Sequence, residues 1–185
     1  MRKPPVKKND SRPIIYCGLD LSLTGTGVCI IDRQGTPIFT KTLKIKTKGM
    51  ERLFNIRTAI QDILNEYKPT FICTEGYSMG SRAGQAFSIG ELGGVIKLML
   101  YLRDWEYKDV APTQVKKFGA KKGNASKDQV MMNVYKEWGF EASDNNVCDA
   151  FVLAQIARAL KQTVPLRSYQ TEVIITLRKG DNPEC

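Results

Sequence analysis

The sequence predicts a single α/β domain in which a mixed sheet, opening with antiparallel hairpins, is flanked by helices. Two apolar runs, IIYCGLD and TGVCIID, flank a polar, glycine-bearing turn, and TPIFTKTLKI follows a second turn at Gln34-Gly35. Short β-type runs joined by such turns mark hairpins. Beyond them, helix-like and strand-like patterns alternate, the order that builds helix-covered sheets. At 185 residues, 42% hydrophobic and 25% charged, the chain has enough material for one sizeable core.

The elements follow in order. Residues 1–13, rich in Lys, Arg and Pro, read as a flexible basic arm. Residues 14–20, 26–32 and 36–45 are expected strands. Over 51–67, Leu53, Phe54, Ile56, Ile60, Ile63, Leu64 and Tyr67 recur at helical spacing and form one apolar stripe. Pro69 opens a fourth strand, TFICTE, and a loop of small residues, GYSMGSRAGQ, leads to a helix from Ala86 to Leu102 that is apolar on more than one face. YKDVAP reads as a fifth strand, and TQVKKFGAKKGNASKDQ as a Lys- and Gly-rich loop. Ser126 and Gln129 form a capping box for a helix to about Trp138. ASDNNVCDAFVLAQIARAL, with Ser143 and Asp144 as candidate caps, reads as the last core helix. The core domain is thus expected over 14–162. Residues 163–185 form a C-terminal extension whose run EVIITL looks β-like.

Composition narrows the chemistry. Against 19 acidic residues stand 28 Lys and Arg, a net charge of +9 that draws a domain toward polyanions, nucleic acid above all. There is no histidine, so a histidine base, triad member or zinc ligand is excluded. Carboxylates, lysines or a bound metal must carry any reaction. Cys17, Cys29, Cys73, Cys148 and Cys185 are scattered without C-x-x-C spacing, which points to reduced core thiols. No apolar run is long enough to span a membrane and the N-terminus lacks a secretory apolar stretch, so a cytoplasmic location is expected.

Three acids fall where sites gather in such folds: Asp20 where the first strand meets its turn, Glu75 at the end of the fourth, Asp149 early in the last helix. Each alone has a structural explanation. Asp20 could cap a turn, Glu75 could face solvent, and Asp149 could answer its helix dipole. If the fold brings them together, converging carboxylates repel, and a shared proton or divalent cations relieve the repulsion. An all-oxygen site suits Mg²⁺ or Mn²⁺, and two such ions about 4 Å apart can activate water for phosphodiester cleavage.

In their order and separations, GLDLSLTGTGV, TEGYSMG with IGELGGVIK, APTQVKKFGAKKGNASKDQV and NVCDAFVLA resemble the RuvC class of Holliday junction resolvases, over roughly residues 14–160. The composition, short N-terminal extension and divergent details resemble phage or viral members. The resemblance implies an RNase H-like fold with a mixed five-stranded sheet. It also implies a homodimer that binds four-way DNA junctions and makes two symmetric, metal-dependent nicks, leaving a 5′-phosphate and a 3′-hydroxyl. The implied cofactor is Mg²⁺, which Mn²⁺ can replace, with two ions per site and no nucleotide cofactor. By position, Asp20, Glu75 and Asp149 match the metal-binding acids. A fourth ligand, one helical turn before the last acid, corresponds to Asn146, whose amide supplies only a neutral oxygen. Either the family tolerates this, or Asp144 substitutes, or the position carries an inactivating change.

The same resemblance assigns phosphate contacts to Lys116 and Lys127, the latter also near the reaction. Lys117, Lys121 and Lys122 add charge beside Gly119 and Gly123, expected to admit the backbone close to phosphates. Tyr77 stands near an aromatic that stacks on junction bases, with Met79 and Phe87 as weaker candidates, and Arg82 lies in the same loop as Tyr77. Three other readings fit some of these residues: a broader flap or branch endonuclease, a junction-binding protein without catalysis, and an actin-like or sugar-kinase-like ATP-binding domain. The last leaves the Lys-Gly loop unexplained.

Overall fold

The protein's structure, a computed structural model, describes residues 13–76 and 83–179. Residues 1–12 of the expected arm, Tyr77, Met79 and Arg82, and Cys185 lie outside the described residues. The elements run β1 (Tyr16–Asp20), β2 (Thr26–Ile31), β3 (Pro37–Leu43), α1 (Gly49–Tyr67), β4 (Phe71–Glu75), α2 (Ala83–Leu102), β5 (Tyr107–Val110), α3 (Pro112–Ala120), α4 (Lys127–Trp138), α5 (Asn145–Lys161) and α6 (Ser168–Lys179). The sheet order is β3-β2-β1-β4-β5. The hairpins β1–β2 and β2–β3 are antiparallel, while β4 and β5 join in parallel, as expected of a mixed five-stranded sheet.

Period-2 alternation divides the strand side chains between two cores. Cys17, Leu19, Val28, Ile30 and Ile72 meet α1 and α2 through Ile56, Ile60, Leu92 and Ile96. Tyr16, Cys29, Ile31, Phe71 and Cys73 meet α5 and the smaller helices through Phe151, Phe118 and Val130. The four described cysteines are free and buried, as the spacing suggested. The capping box holds: Gln129 N–H donates to Ser126 Oγ at 3.3 Å and Ser126 N–H to Gln129 Oε1 at 2.9 Å.

Two expectations fail. The Lys- and Gly-rich stretch begins with a helix, α3. Pro112 opens it, the Ala111 N–H donates to Gln114 Oε1 at 3.0 Å, and Val115 and Phe118, three apart, are buried. The density of Lys and Gly hid this short stripe. The run EVIITL is not a strand but the centre of α6. Strand alternation would place Val173, Ile175 and Leu177 together, yet Val173, Ile174 and Leu177 are buried and Ile175 is exposed. This part of the expected extension therefore docks on the core, where Arg178 Nη2 donates to the carbonyl oxygens of Ala159 and Leu160 at the end of α5.

Helix α5 crosses the sheet unusually closely because two strand positions have no side chain. A Cβ on Gly18 would lie 1.9 Å from Ala150 O and 2.5 Å from Ala154 N. One on Gly27 would lie 2.1 Å from Asn146 O. In each case the obstacle is backbone, which no rotamer change relieves. Gly18→Ala is therefore expected to cost about 3 kcal/mol or more, read from the shift in the urea unfolding midpoint at unchanged slope.

Candidate active site

The alternation that builds the core also aims the acids. In β1, Tyr16, Gly18 and Asp20 face α5; in β4, Phe71, Cys73 and Glu75 do the same. The strands pair in parallel with Leu19 opposite Thr74, so Asp20 and Glu75 follow as neighbours at the same end of the sheet. Asp149 sits in the second turn of α5, between the backbone contacts that Asn146 makes at Gly27 and Ala150 makes at Gly18. The three acids thus gather where β1 and β4 end against the N-terminal part of α5.

Their electrostatics records the proximity. Asp20, only 7% exposed, has its carboxyl pushed well above the usual range, by burial first and then by the charges of Glu75 and Asp149. Glu75 is raised mainly by burial, against a hydrogen bond from Asp20 and the pull of Lys116 and Lys127. A hydrogen bond joins the two carboxyls, raising Asp20 and lowering Glu75. Asp149 is pushed up to about 6 by burial and by Glu75, with Lys127 and Lys116 opposing. The two lysines singled out from sequence therefore act on the acids singled out from sequence.

The other candidates divide. Lys121, which closes α3 with φ 70, and Lys122 are exposed. Lys117 instead ion-pairs with Glu172 of α6 at 2.7 Å. At Gly119 and Gly123 the side-chain direction points into the protein. A Cβ on Gly119 would press Val152 at 3.0 Å and Val130 at 3.3 Å, and one on Gly123 would meet Thr113 O at 3.1 Å. Both glycines allow close internal packing. Asp144 caps α5, accepting from Val147 N–H at 2.9 Å and from Thr42 Oγ1 at 2.7 Å. Burial works to raise its pKa, but hydrogen bonds from Thr42 and from the Val147 and Asn146 N–H groups, with Lys44 nearby, hold it below the ordinary value. Asp144 is thus an ionised cap with both oxygens engaged. Asn146 lies over the β1–β2 turn, its amide nitrogen 2.9 Å from where a Gly25 Cβ would stand. Sequence reasoning missed that Gly18 and Gly27 position the site; the available signal was glycine inside an apolar strand.

The donor set suits a hard divalent cation. It is all oxygen, and burial raises the pKa of all three carboxyls, a shift that added positive charge would oppose. Among the described residues, no three His, Cys, Asp or Glu side chains close on one point as they stand. The fit is one of ligand chemistry and shared location, not of a preformed cage.

Comparison with known proteins supplies the context. A family model described as "Crossover junction endodeoxyribonuclease RuvC" matches residues 16–157. The enzyme of that name from Brachyspira hyodysenteriae is 30% identical over 151 residues, covering 76% of this chain and 91% of its own. The one from Parvibaculum lavamentivorans is 26% identical, covering 76% and 84%. Among solved structures, Thermus thermophilus RuvC in complex with a Holliday junction substrate superposes with a TM-score of 0.67 at 19% identity, over 76% of this chain and 90% of that one. The yeast mitochondrial Holliday junction resolvase Ydc2 gives 0.57 at 11% identity, over 93% and 83%. At these identities the structural matches speak to the fold, which is the one expected.

A carboxyl whose folded-state pKa is raised favours folding while protonated. Its contribution fades as pH climbs from the unfolded value, 3.8 for Asp149, through about 6. That interval corresponds to roughly 3 kcal/mol. In EDTA, Asp149→Asn should therefore gain stability over the parent as pH rises from about 4 to 7, by about that amount. Paired denaturant titrations across this range measure it, and Mg²⁺ or Mn²⁺ should stabilise the parent at the upper end alone.

Proposed function

The chain belongs to the RuvC family of crossover junction endodeoxyribonucleases, and on that premise we propose that it resolves four-way (Holliday) DNA junctions by paired nicks through metal-dependent phosphodiester hydrolysis. The observation that carries the proposal is the gathering of Asp20, Glu75 and Asp149, with Lys116 and Lys127 acting on them, at one end of the sheet. Family membership lends nothing to the ATP-binding alternative.

Asp20, Glu75 and Asp149 would hold the cation, Mg²⁺ with Mn²⁺ as substitute and two ions per site, and Asn146 would add a neutral oxygen. A divalent ion bound there supplies charge neutralisation at the phosphate and lowers the pKa of water. The chain's own groups do the rest. Lys116 and Lys127 favour ionised Glu75 and Asp149 and present positive charge to the scissile phosphate. Asp144, held as a cap, fixes the start of α5 and with it Asn146 and Asp149. No histidine is available to move protons. Lys121 and Lys122 extend the phosphate-binding surface, and Tyr77 and Arg82 are assigned to junction contacts by their place in the sequence alone.

A homodimer belongs to the proposal. The inner side of α2 is buried through Leu92, Ile96 and Met99, while Phe87, Leu98, Tyr101 and Leu102 are exposed. Phe87, Glu91, Gly94, Leu98 and Tyr101 recur at alternating steps of four and three, an unfilled seam for another helix. A second copy laying its own α2 there would set two acid clusters on opposed strands. Among the described residues no helix is long and apolar enough to cross a membrane, and a cytoplasmic location is part of this reading. The two sequence relatives named above are bacterial, so a phage- or virus-type origin rests on divergent details of the sequence alone.

Two measurements check the proposal. Asp20→Asn should abolish nicking of a synthetic four-way junction in Mg²⁺ or Mn²⁺ while binding is kept or strengthened, since one charge facing the phosphates is removed. Full-rate cutting by that variant would remove the site assignment. Equal rates on flaps, or no cutting by the parent protein, would favour the broader or the non-catalytic reading. Leu98→Glu should convert a dimer to a monomer in sedimentation velocity while leaving circular dichroism unchanged.

A further inference from the structure

Beyond β3 the chain reads Lys44-Ile45-Lys46-Thr47-Lys48, and this segment is built to present charge. Exposure alternates along it: Lys44, Lys46 and Lys48 are exposed, Ile45 and Thr47 turn inward, and Lys48 has extended backbone with φ −127 and ψ 167. Ile45 packs against the core beneath α1. Thr47 is anchored twice from α1, its carbonyl accepting from Arg52 Nε and its Oγ1 from Asn55 Nδ2 at 3.2 Å. Neither Lys46 nor Lys48 has an ion pair among the described residues, and Lys44 stands near Asp144, which already serves Thr42 and the α5 cap. In an extended chain every second residue repeats at about 6.6 Å. That spacing is of the same order as the distance between neighbouring phosphates of one DNA strand.

Its place in the fold gives this segment a role. Asp20 pairs with Gly27 and Gly27 with Thr42, so one row across the sheet joins the acid cluster to the end of β3, two strand spacings or about 10 Å away. Lys44 lies two residues past that row. Lys116, Lys121, Lys122 and Lys127 belong to α3, α4 and the link between them, next to β5 on the other side of the acids. We propose that Lys44, Lys46 and Lys48 form a second phosphate-binding track that grips the backbone of a duplex arm flanking the cleaved strand. The acids then lie between two cationic surfaces. The inference rests on the reading of the chain as a junction nuclease and adds to it a surface that none of its assigned DNA contacts includes.

The test is fluorescence anisotropy with labelled four-way junction and plain duplex in EDTA, using the full chain, across about 50 to 200 mM salt. The variant Lys44→Gln/Lys46→Gln/Lys48→Gln is compared with an equally neutralised control, Lys68→Gln/Arg103→Gln/Lys179→Gln, and with a charge-keeping Lys44→Arg/Lys46→Arg/Lys48→Arg. Loss of three phosphate contacts makes the slope of log affinity against log salt shallower by about 2 to 3, so affinity falls about twenty- to sixtyfold less over that range. The control and the arginine variant should keep the parental slope. A parental slope in the glutamine variant, or an equally shallow slope in the control, overturns the track and leaves the nuclease reading standing. A parent protein that binds neither DNA overturns both.

Discussion

The structure depends on one contact: helix α5 lies against β1 and β2 with almost no side chain between them. Gly18 meets the backbone of Ala150 and Ala154, and Gly27 that of Asn146. This draws the start of α5 toward the strand ends that carry Asp20 and, one strand over, Glu75. An alanine layer at these points would lift the helix and move Asp149 away from both acids. The rest of α5 repeats the theme with small residues, since Ala150, Ala154 and Ala157 are all fully buried. The contact that closes the core therefore also assembles the site, and neither can be loosened without the other.

That geometry leaves a charge problem. Three carboxyls are partly or wholly drawn out of water near one another, and their repulsion and desolvation are opposed by a hydrogen bond between Asp20 and Glu75 and by Lys116 and Lys127. The N-terminus of α5 adds positive potential at the same end, though Asp144 uses much of it as a cap. Lys116 and Lys127 oppose the upward shifts of the half-buried Glu75 and Asp149 without cancelling them. The site is held in tension toward more positive charge, the property expected of a centre that works on a polyanion with divalent ions.

Much of this was legible because each acid interrupts a pattern. Asp20 and Glu75 end apolar strands, and Asp149 opens an otherwise apolar helix face, so the order of residues by itself signals burial with a purpose. Their meeting in space was not legible from periodicity alone, because strand order depends on which non-neighbours pair, and β1 pairs with β4 across 50 residues of chain. The small helices were harder. In α3 a nine-residue stripe has only Val115 and Phe118 as large anchors amid lysines, and in α6 the β-branched Val173, Ile174 and Ile175 carry strand propensity that tertiary packing overrides. Gly119 and Gly123 sit among lysines, and a lysine-rich pattern does not announce that a Cβ on either would press Val152, Val130 or Thr113.

Asn146 is best understood in the same terms. Its backbone carbonyl is the group that Gly27 accommodates and its amide covers the β1–β2 turn, so the residue is positioned first by packing. An aspartate at this place would set a fourth carboxyl beside three that already repel and that already draw on both nearby lysines. The amide offers an oxygen without that penalty, and Asp144 cannot take over the charge, because releasing it would uncap α5 and strip Thr42 of its partner. The acids whose charges act on one another at this end of the sheet are therefore Asp20, Glu75 and Asp149, and the first turn of α5 contributes position.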